Sequence, residues 1–385
     1  MLFSASTAAF SIPQFTVLTG NRCSNCHVAP SGGGQRTYLG WYSLHDVGVI
    51  PPESSAISWL YPEDPTNSYF DDMLMLGMNL RLQSTRSFAN EDATRATFPM
   101  QLALYGAFQP VKALTVEGGF NFAALRQAPN STATIRYPGQ RSWSASAIFA
   151  PSPLLPTFRA GFFRPGYGLR YDDHTTFPVS YISGVARLNY LAPDWAEYGG
   201  EITYEGDRTL TLSGGVFGSE GLSQLRLNDG EQTVSAVSGN APTFVFKAIA
   251  WPRWFDGDLN TYVGGSALVN GDFSMLNAVG GLGLIDQIYV MMDLTITTKQ
   301  NVQSSMNFMT EVGWNGWEPV IIYGRYEHGK TDQARLSTNS SANSGVVGAQ
   351  IFLIPYVELR PEYRLFDTSK EGVATRWNVQ LHIFY

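Results

Sequence analysis

Arg376-Trp377-Asn378-Val379-Gln380-Leu381-His382-Ile383-Phe384-Tyr385 is the stretch on which the fold turns. Trp377, Val379, Leu381, Ile383 and Tyr385 fall on one side, and Arg376, Asn378, Gln380, His382 and Phe384 on the other. Successive side chains of a strand point to opposite faces, so period-two alternation means a strand with one apolar and one mostly polar face. The same pattern recurs upstream. In 356–367, Val357, Leu359, Tyr363 and Leu365 oppose Glu358, Arg360, Glu362 and Arg364. In 71–86, Leu76, Met78, Leu80 and Leu82 oppose Asn79, Arg81 and Gln83.

Composition says which kind of sheet this is. Only 15% of the 385 residues are charged, against about 25% in an ordinary soluble protein, while 13% are aromatic and 38 are glycine. No run of 18 apolar residues appears, so the chain does not cross a membrane by helices. Few charges, many aromatics and alternating segments of ten to fourteen residues predict a transmembrane antiparallel β-barrel, lipid outside and water inside. A soluble β-sandwich or propeller is the competing reading. An amphipathic last strand ending on an aromatic resembles the signal read by the outer-membrane assembly machinery. The net charge of −7 gives nucleic acid no footing.

About sixteen strand segments follow between 71 and 385, among them 95–109, 113–126, 133–150, 317–328 and 342–354. An even count puts both ends of the barrel in the periplasm. Parity then sends 167–195, 219–242 and 329–341 outside as loops, and the short links 110–112, 206–207, 286 and 315–316 inside. Long loops outside and short turns inside is the asymmetry expected of the bacterial outer membrane.

Residues 12–60 differ from the rest. They hold the only two cysteines, in Cys23-Ser24-Asn25-Cys26-His27, and the run Gly32–Gly34. C-x-x-C-H is the attachment motif of c-type haem. Two thioethers anchor the vinyl groups, and the next residue, His27, becomes the proximal iron ligand. A thioredoxin-like dithiol is the alternative, but no βαβ pattern surrounds the motif. Fifty residues are few for a core of their own. The segment is therefore expected to complete its pocket against the barrel, as a plug in the lumen or in the periplasmic mouth. The distal ligand is open: His45 is the first candidate, with His382, His174, Met73 and Met75 behind it and His328 at the far end of a strand. The expected organisation is 1–11 as the remnant of a signal peptide, 12–60 as the monohaem segment, 61–70 as linker and 71–385 as barrel.

The residues Pro13-x-Phe15 and Thr19-Gly20-x-x-Cys23-x-x-Cys26-His27 resemble the start of the fused monohaem cytochrome–porins of the outer membrane. That resemblance implies a short c-type cytochrome joined to a barrel of about sixteen strands, and an electron conduit. Its donor would be extracellular, with Fe(II) as the candidate, and its acceptor a periplasmic c-type cytochrome. The haem-binding roles carry over to Cys23, Cys26 and His27 alone. Phe163-Arg164-Pro165-Gly166-Tyr167-Gly168 is similar to stretches of other porin families that are not tied to iron. Two other functions stay open: a diffusion porin with a haem-bearing gate or sensor, and a small-molecule haem enzyme such as a peroxidase. Loop carboxylates such as Glu220, Asp229, Glu231 and Asp332 suit either cation attraction or plain solvation.

Overall fold

The computed structural model describes residues 13–61, 65–89, 92–125, 140–169, 191, 194–205, 209–229, 232–334, 338–369 and 372–385. Sixteen antiparallel strands close on themselves. The first four are β1 (Leu74–Ala89), β2 (Asp92–Val111), β3 (Leu114–Asn121) and β4 (Trp143–Phe149). Then come β5 (Thr157–Phe163), β6 (Glu197–Tyr204), β7 (Leu210–Phe217) and β8 (Thr243–Ala250). The second half begins with β9 (Leu259–Asn270), β10 (Phe273–Leu284), β11 (Ile288–Lys299) and β12 (Gln303–Trp317). It ends with β13 (Val320–Gln333), β14 (Thr338–Ile354), β15 (Val357–Thr368) and β16 (Gly372–Phe384). Each strand pairs with the next, and β16 returns to β1 with Asn79 opposite Phe384 and Phe88 opposite Thr375.

The alternation sorts faces as expected. Leu76, Leu82, Tyr363, Leu365, Trp377 and Val379 are exposed on the outer wall, where lipid covers them. Asn79, Arg81, Gln83, Glu358, Glu362, Arg364, Asn378 and His382 are buried in the lumen. Lumenal charges pair: Arg325 reaches Glu311 at 3.1 Å and Glu362 at 3.3 Å, and Arg159 binds Glu117. An outer belt of exposed large apolar residues around a polar, charge-paired interior is the construction of an outer-membrane barrel.

Several boundaries differ from the sequence reading. The segment 329–341 is not a loop; β13 runs to Gln333 and β14 starts at Thr338. Polar residues on both faces hide those strand ends from a periodicity argument. The segment 113–126 is a strand only to Asn121, after which Phe122–Leu125 form a 3₁₀ turn. Asn121 Oδ1 accepts from Ala123 N at 3.0 Å and so ends the strand. The segment 133–150 is a strand only from Trp143; 133–139, like 1–11 and His174, lie outside the described residues. Within 61–70, Ser68–Tyr69 pair with Leu74 and Met75.

The wall is uneven. Strands β3–β8 have 7 or 8 residues each, whereas those from β9 onward have 12 to 17. The long connections 122–142, 164–196 and 218–242 all join strands of the short side. The second of these, 164–196, is the third outer loop of the barrel, and its described part bends inward. Gly168 N donates to Ser266 Oγ of β9 at 2.8 Å, so this loop reaches from β5 to a strand four places further round the ring. With Trp195, Leu222, Leu225 and Leu227 its Tyr167 forms an apolar core in the outer half of the lumen.

Candidate haem-binding site in the barrel plug

The inner half of the lumen is filled by residues 13–61. Pro13 opens α1 (Pro13–Thr19), a position where its missing N–H costs nothing. Phe15, Val17 and Leu18 of α1 are buried with Tyr262, Val279, Tyr289 and Met291 of the wall. Gly283 on β10 lets the helix come close, since a Cβ there would stand 2.2 Å from Val17 O.

One turn of helix, α2 (Cys23–Cys26), carries the two thiols, and His27 N closes it on Cys23 O at 2.9 Å. Cys26 is 1% exposed and His27 is 3% exposed, while Cys23 is half-buried. The two sulfurs are not joined in a disulfide. Burial, followed by the neighbouring Cys23, pushes the Cys26 thiol up to about 12.

The turn is held from two sides. On one side His27 bridges Arg36, and Arg36 donates to Asn79 Oδ1 of β1 at 3.3 Å and lies 4.6 Å from the Phe384 ring centre. On the other, Thr37 Oγ1 donates to Asn25 O at 2.8 Å and accepts from Gly40 N at 3.2 Å. Thr37 thus ties α2 to the start of α3 (Tyr38–Tyr42). Gly40 presses on the cysteine turn, because a Cβ there would lie 2.1 Å from Cys26 O. Trp41 of α3 stacks on Tyr356 with ring centres 5.1 Å apart and meets Tyr385 edge-on at 5.4 Å.

Beside the cysteines the chain carries no side chains. Gly32, Gly33 and Gly34 all have positive φ, from 69° to 83°, a region that glycine adopts without strain. A Cβ at Gly32 would sit 3.1 Å from Cys23 Cβ and 3.4 Å from its Sγ. Next to this bare run lies a cavity of about 70 Å³, lined by Gly33, Gly34, Gln35, Glu117, Arg159 and Trp195 among others. Two thiols one turn apart, an adjacent buried imidazole and a glycine cradle against Cys23 fit the donor set of a c-type haem. The sequence motif located Cys23, Cys26 and His27. It gave the glycine run no role and missed Thr37, Arg36 and Gly40, for which only a T-x-x-G spacing stands as a signal.

The other described histidines have partners of their own. His45 follows α3; its Nδ1 is 2.5 Å from Asp46 Oδ1, and its ring stacks on Tyr42 at 5.3 Å. His382 has Nδ1 3.0 Å from Glu358 Oε2 and Nε2 3.3 Å from Asn79 Oδ1, so both ring nitrogens already have protein partners. His328 meets Asn343 at 2.8 Å in the outer part of β13. Met73 is exposed in the turn before β1, and Met75 is half-buried on it. Among the described residues no group of three or more His, Cys, Asp or Glu gathers as metal ligands. Glu220 pairs with Arg141 at 3.2 Å and Asp332 with Lys330 at 3.1 Å; Glu231 lies outside the described residues.

Fold and lumen define the class: a porin-type β-barrel of the bacterial outer membrane. Comparison with solved structures agrees. OprB of Pseudomonas putida superimposes with a TM-score of 0.58 at 8% identity, covering 92% of this chain and 99% of that one. The outer-membrane channel DcaP of Acinetobacter baumannii gives 0.53 at 12%, covering 81% and 97%. An anion-selective porin from Comamonas acidovorans gives 0.51 at 11%, covering 81% and 99%. At such identities the likeness concerns the fold alone. No protein-family model and no curated protein sequence matches the chain.

Proposed function

We propose that this outer-membrane barrel is an electron conduit that works through one covalent c-type haem. The observation that carries the reading is the C-x-x-C-H turn, buried in a plug inside the barrel with a glycine cradle beside Cys23. Cys23 and Cys26 would hold the haem and His27 its iron. A covalent haem supplies a one-electron redox centre whose potential follows from its ligands and burial.

The chain's own residues do the rest. The hydrocarbon core is about 30 Å thick, too wide for a single electron jump between a donor outside and an acceptor inside. The barrel carries the redox site into that thickness and insulates it from lipid. Loop residues Tyr167 and Leu169 descend from outside, and Leu169 packs in the same apolar cluster as Phe15 and Trp41 of the plug. The donor in this reading is extracellular, with Fe(II) as the candidate, and the acceptor is a soluble periplasmic c-type cytochrome.

The experiment uses purified protein in liposomes with an oxidised cytochrome trapped inside and Fe(II) added outside. Reduction of both the barrel haem and the trapped cytochrome supports the conduit, provided protein-free liposomes stay oxidised. A haem reduced by dithionite but not by Fe(II) removes the iron donor. A protein without a c-type haem spectrum removes the conduit. The second reading, a diffusion porin with a haem-bearing gate, draws on the porin-type neighbours, and ionic conductance in planar bilayers would favour it.

A further inference from the structure

The inner face of the plug carries an ordered aromatic surface that stays exposed among the described residues. Helix α3 turns Gly40 and Trp41 towards the cysteine turn and Tyr356, and presents Tyr38, Leu39 and Tyr42 to solvent at 46%, 47% and 41% exposure. Tyr38 stacks on Tyr42 at 5.3 Å, and Tyr42 stacks on His45 at 5.3 Å. Three rings are thus prearranged, so little side-chain freedom remains to be lost on binding. Tyr356 and Pro355, which receive Trp41 and the Tyr61 hydroxyl, belong to the periplasmic turn between β14 and β15, so the surface lies at the inner mouth. It is not part of the lipid-facing wall.

Charge around this mouth is one-sided. Asp46, Glu53, Asp71, Asp72, Asp256 and Asp258 are exposed on the plug and the periplasmic turns. Among the described residues of the same face, the exposed cations are Lys112 and Arg253, and Arg253 is engaged by Gly20 O. Asp286 lies in this field too: burial first, then Asp258, pushes its carboxyl above the usual range. Like charges gathered at one end of the molecule repel an anionic lipid surface and attract a cationic one.

We infer that the Tyr38–Leu39–Tyr42 face of α3, with its carboxylate rim, is the docking surface for a soluble periplasmic redox protein with a lysine-rich face. The inference rests on the conduit reading and deepens it. The geometry explains why the partner would bind here: the far side of the same short helix touches Cys26 through Gly40, so a protein seated on α3 is one helix thickness from the cysteine turn. The apolar rings supply the contact and the rim supplies the attraction and its sign.

The test measures binding to the full-length protein in nanodiscs. The probes are a lysine-rich mitochondrial-type cytochrome c and the same protein with its lysines succinylated, which reverses their charge. The expected result is binding of the first probe only, weakened at least about tenfold between roughly 20 and 200 mM salt. Leu39→Ser and Asp46→Lys should each weaken it by about fivefold or more, whereas Asp332→Asn at the outer end should leave it unchanged. Equal binding of both probes, binding indifferent to salt, or indifference to both the Leu39 and the Asp46 variant overturns the inference. So does a variant that changes only self-association. The haem spectrum of the same sample reports separately on the conduit: binding without haem sinks the conduit and keeps the surface, and haem without binding does the reverse.

Discussion

Gly40 and Gly32 show how much depends on missing side chains. Gly40 lets α3 lie directly on the Cys26 backbone, and Gly32 keeps the space beside the Cys23 sulfur open. Gly40→Ala should cost the plug about 1–3 kcal/mol through overpacking. The readout is faster proteolysis within 13–61 while the barrel keeps its folded electrophoretic mobility. His27→Ala should leave the thioether attachment sites in place but change the iron ligation, which the haem absorption spectrum detects. A Cys23→Ser, Cys26→Ser protein should lose covalent haem altogether; haem that stays covalently bound after denaturation would contradict the assignment. The motif was legible in the sequence because chemistry fixes its spacing. Its supports were not, because Arg36, Asn79 and Phe384 meet only when the first and last strands close the barrel.

At the scale of elements, the strands lock through tyrosines laid over glycines of the next strand. Cβ atoms at Gly281, Gly313 and Gly348 would come within 2.4, 2.1 and 2.6 Å of Tyr262, Tyr289 and Tyr323. Gly313→Ala should therefore destabilise the β11–β12 pair by about 1–3 kcal/mol, measured as a lower temperature for loss of the heat-resistant folded band. The end of β16 is tied by Tyr385, whose hydroxyl donates to Thr66 O at 2.8 Å and lies 2.8 Å from the Tyr69 hydroxyl. Burial, then Tyr69, pushes the Tyr385 phenol up to about 12 from its ordinary 10. A raised pKa means the folded state holds the proton more tightly. The contribution is thus complete below pH 10 and lost as pH rises towards 12. Tyr385→Phe should flatten that alkaline loss in a series of melting temperatures. Strand existence followed from alternation at these positions, but the ends of β13 and β14 did not, because polar residues on both faces carry no period.

For the whole molecule, the decisive fact is how the lumen is filled. Plug residues reach β14 through Gln14 and Gln350 at 3.2 Å and β9 through Leu18 O and Asn260 at 3.3 Å. They reach β5 through Ser31 and Arg159 at 3.4 Å and β1 through Arg36 and Asn79 at 3.3 Å. These strands are spread around the ring, so the plug spans the cross-section. The third loop closes on it from outside through Leu169. A sixteen-strand barrel without such filling leaves an aqueous channel. Full-length protein should therefore conduct ions at least about tenfold less than a variant lacking residues 13–61, measured in planar bilayers. Equal conductance would mean the plug does not block flow.

By itself the sequence determined the barrel, a count of about sixteen strands, which strand faces meet lipid, and the spacing of the C-x-x-C-H run. Each of these is a local pattern: period-two alternation follows from backbone geometry, and C-x-x-C-H follows from covalent spacing. Only the tertiary structure decided where the motif sits and what surrounds it. Asn79, Arg159, Asn260 and Gln350 are far apart in the chain and become neighbours of the plug because a closed sheet brings β1, β5, β9 and β14 around one lumen. No single-strand pattern encodes that meeting, since it depends on closure of the ring rather than on any one segment.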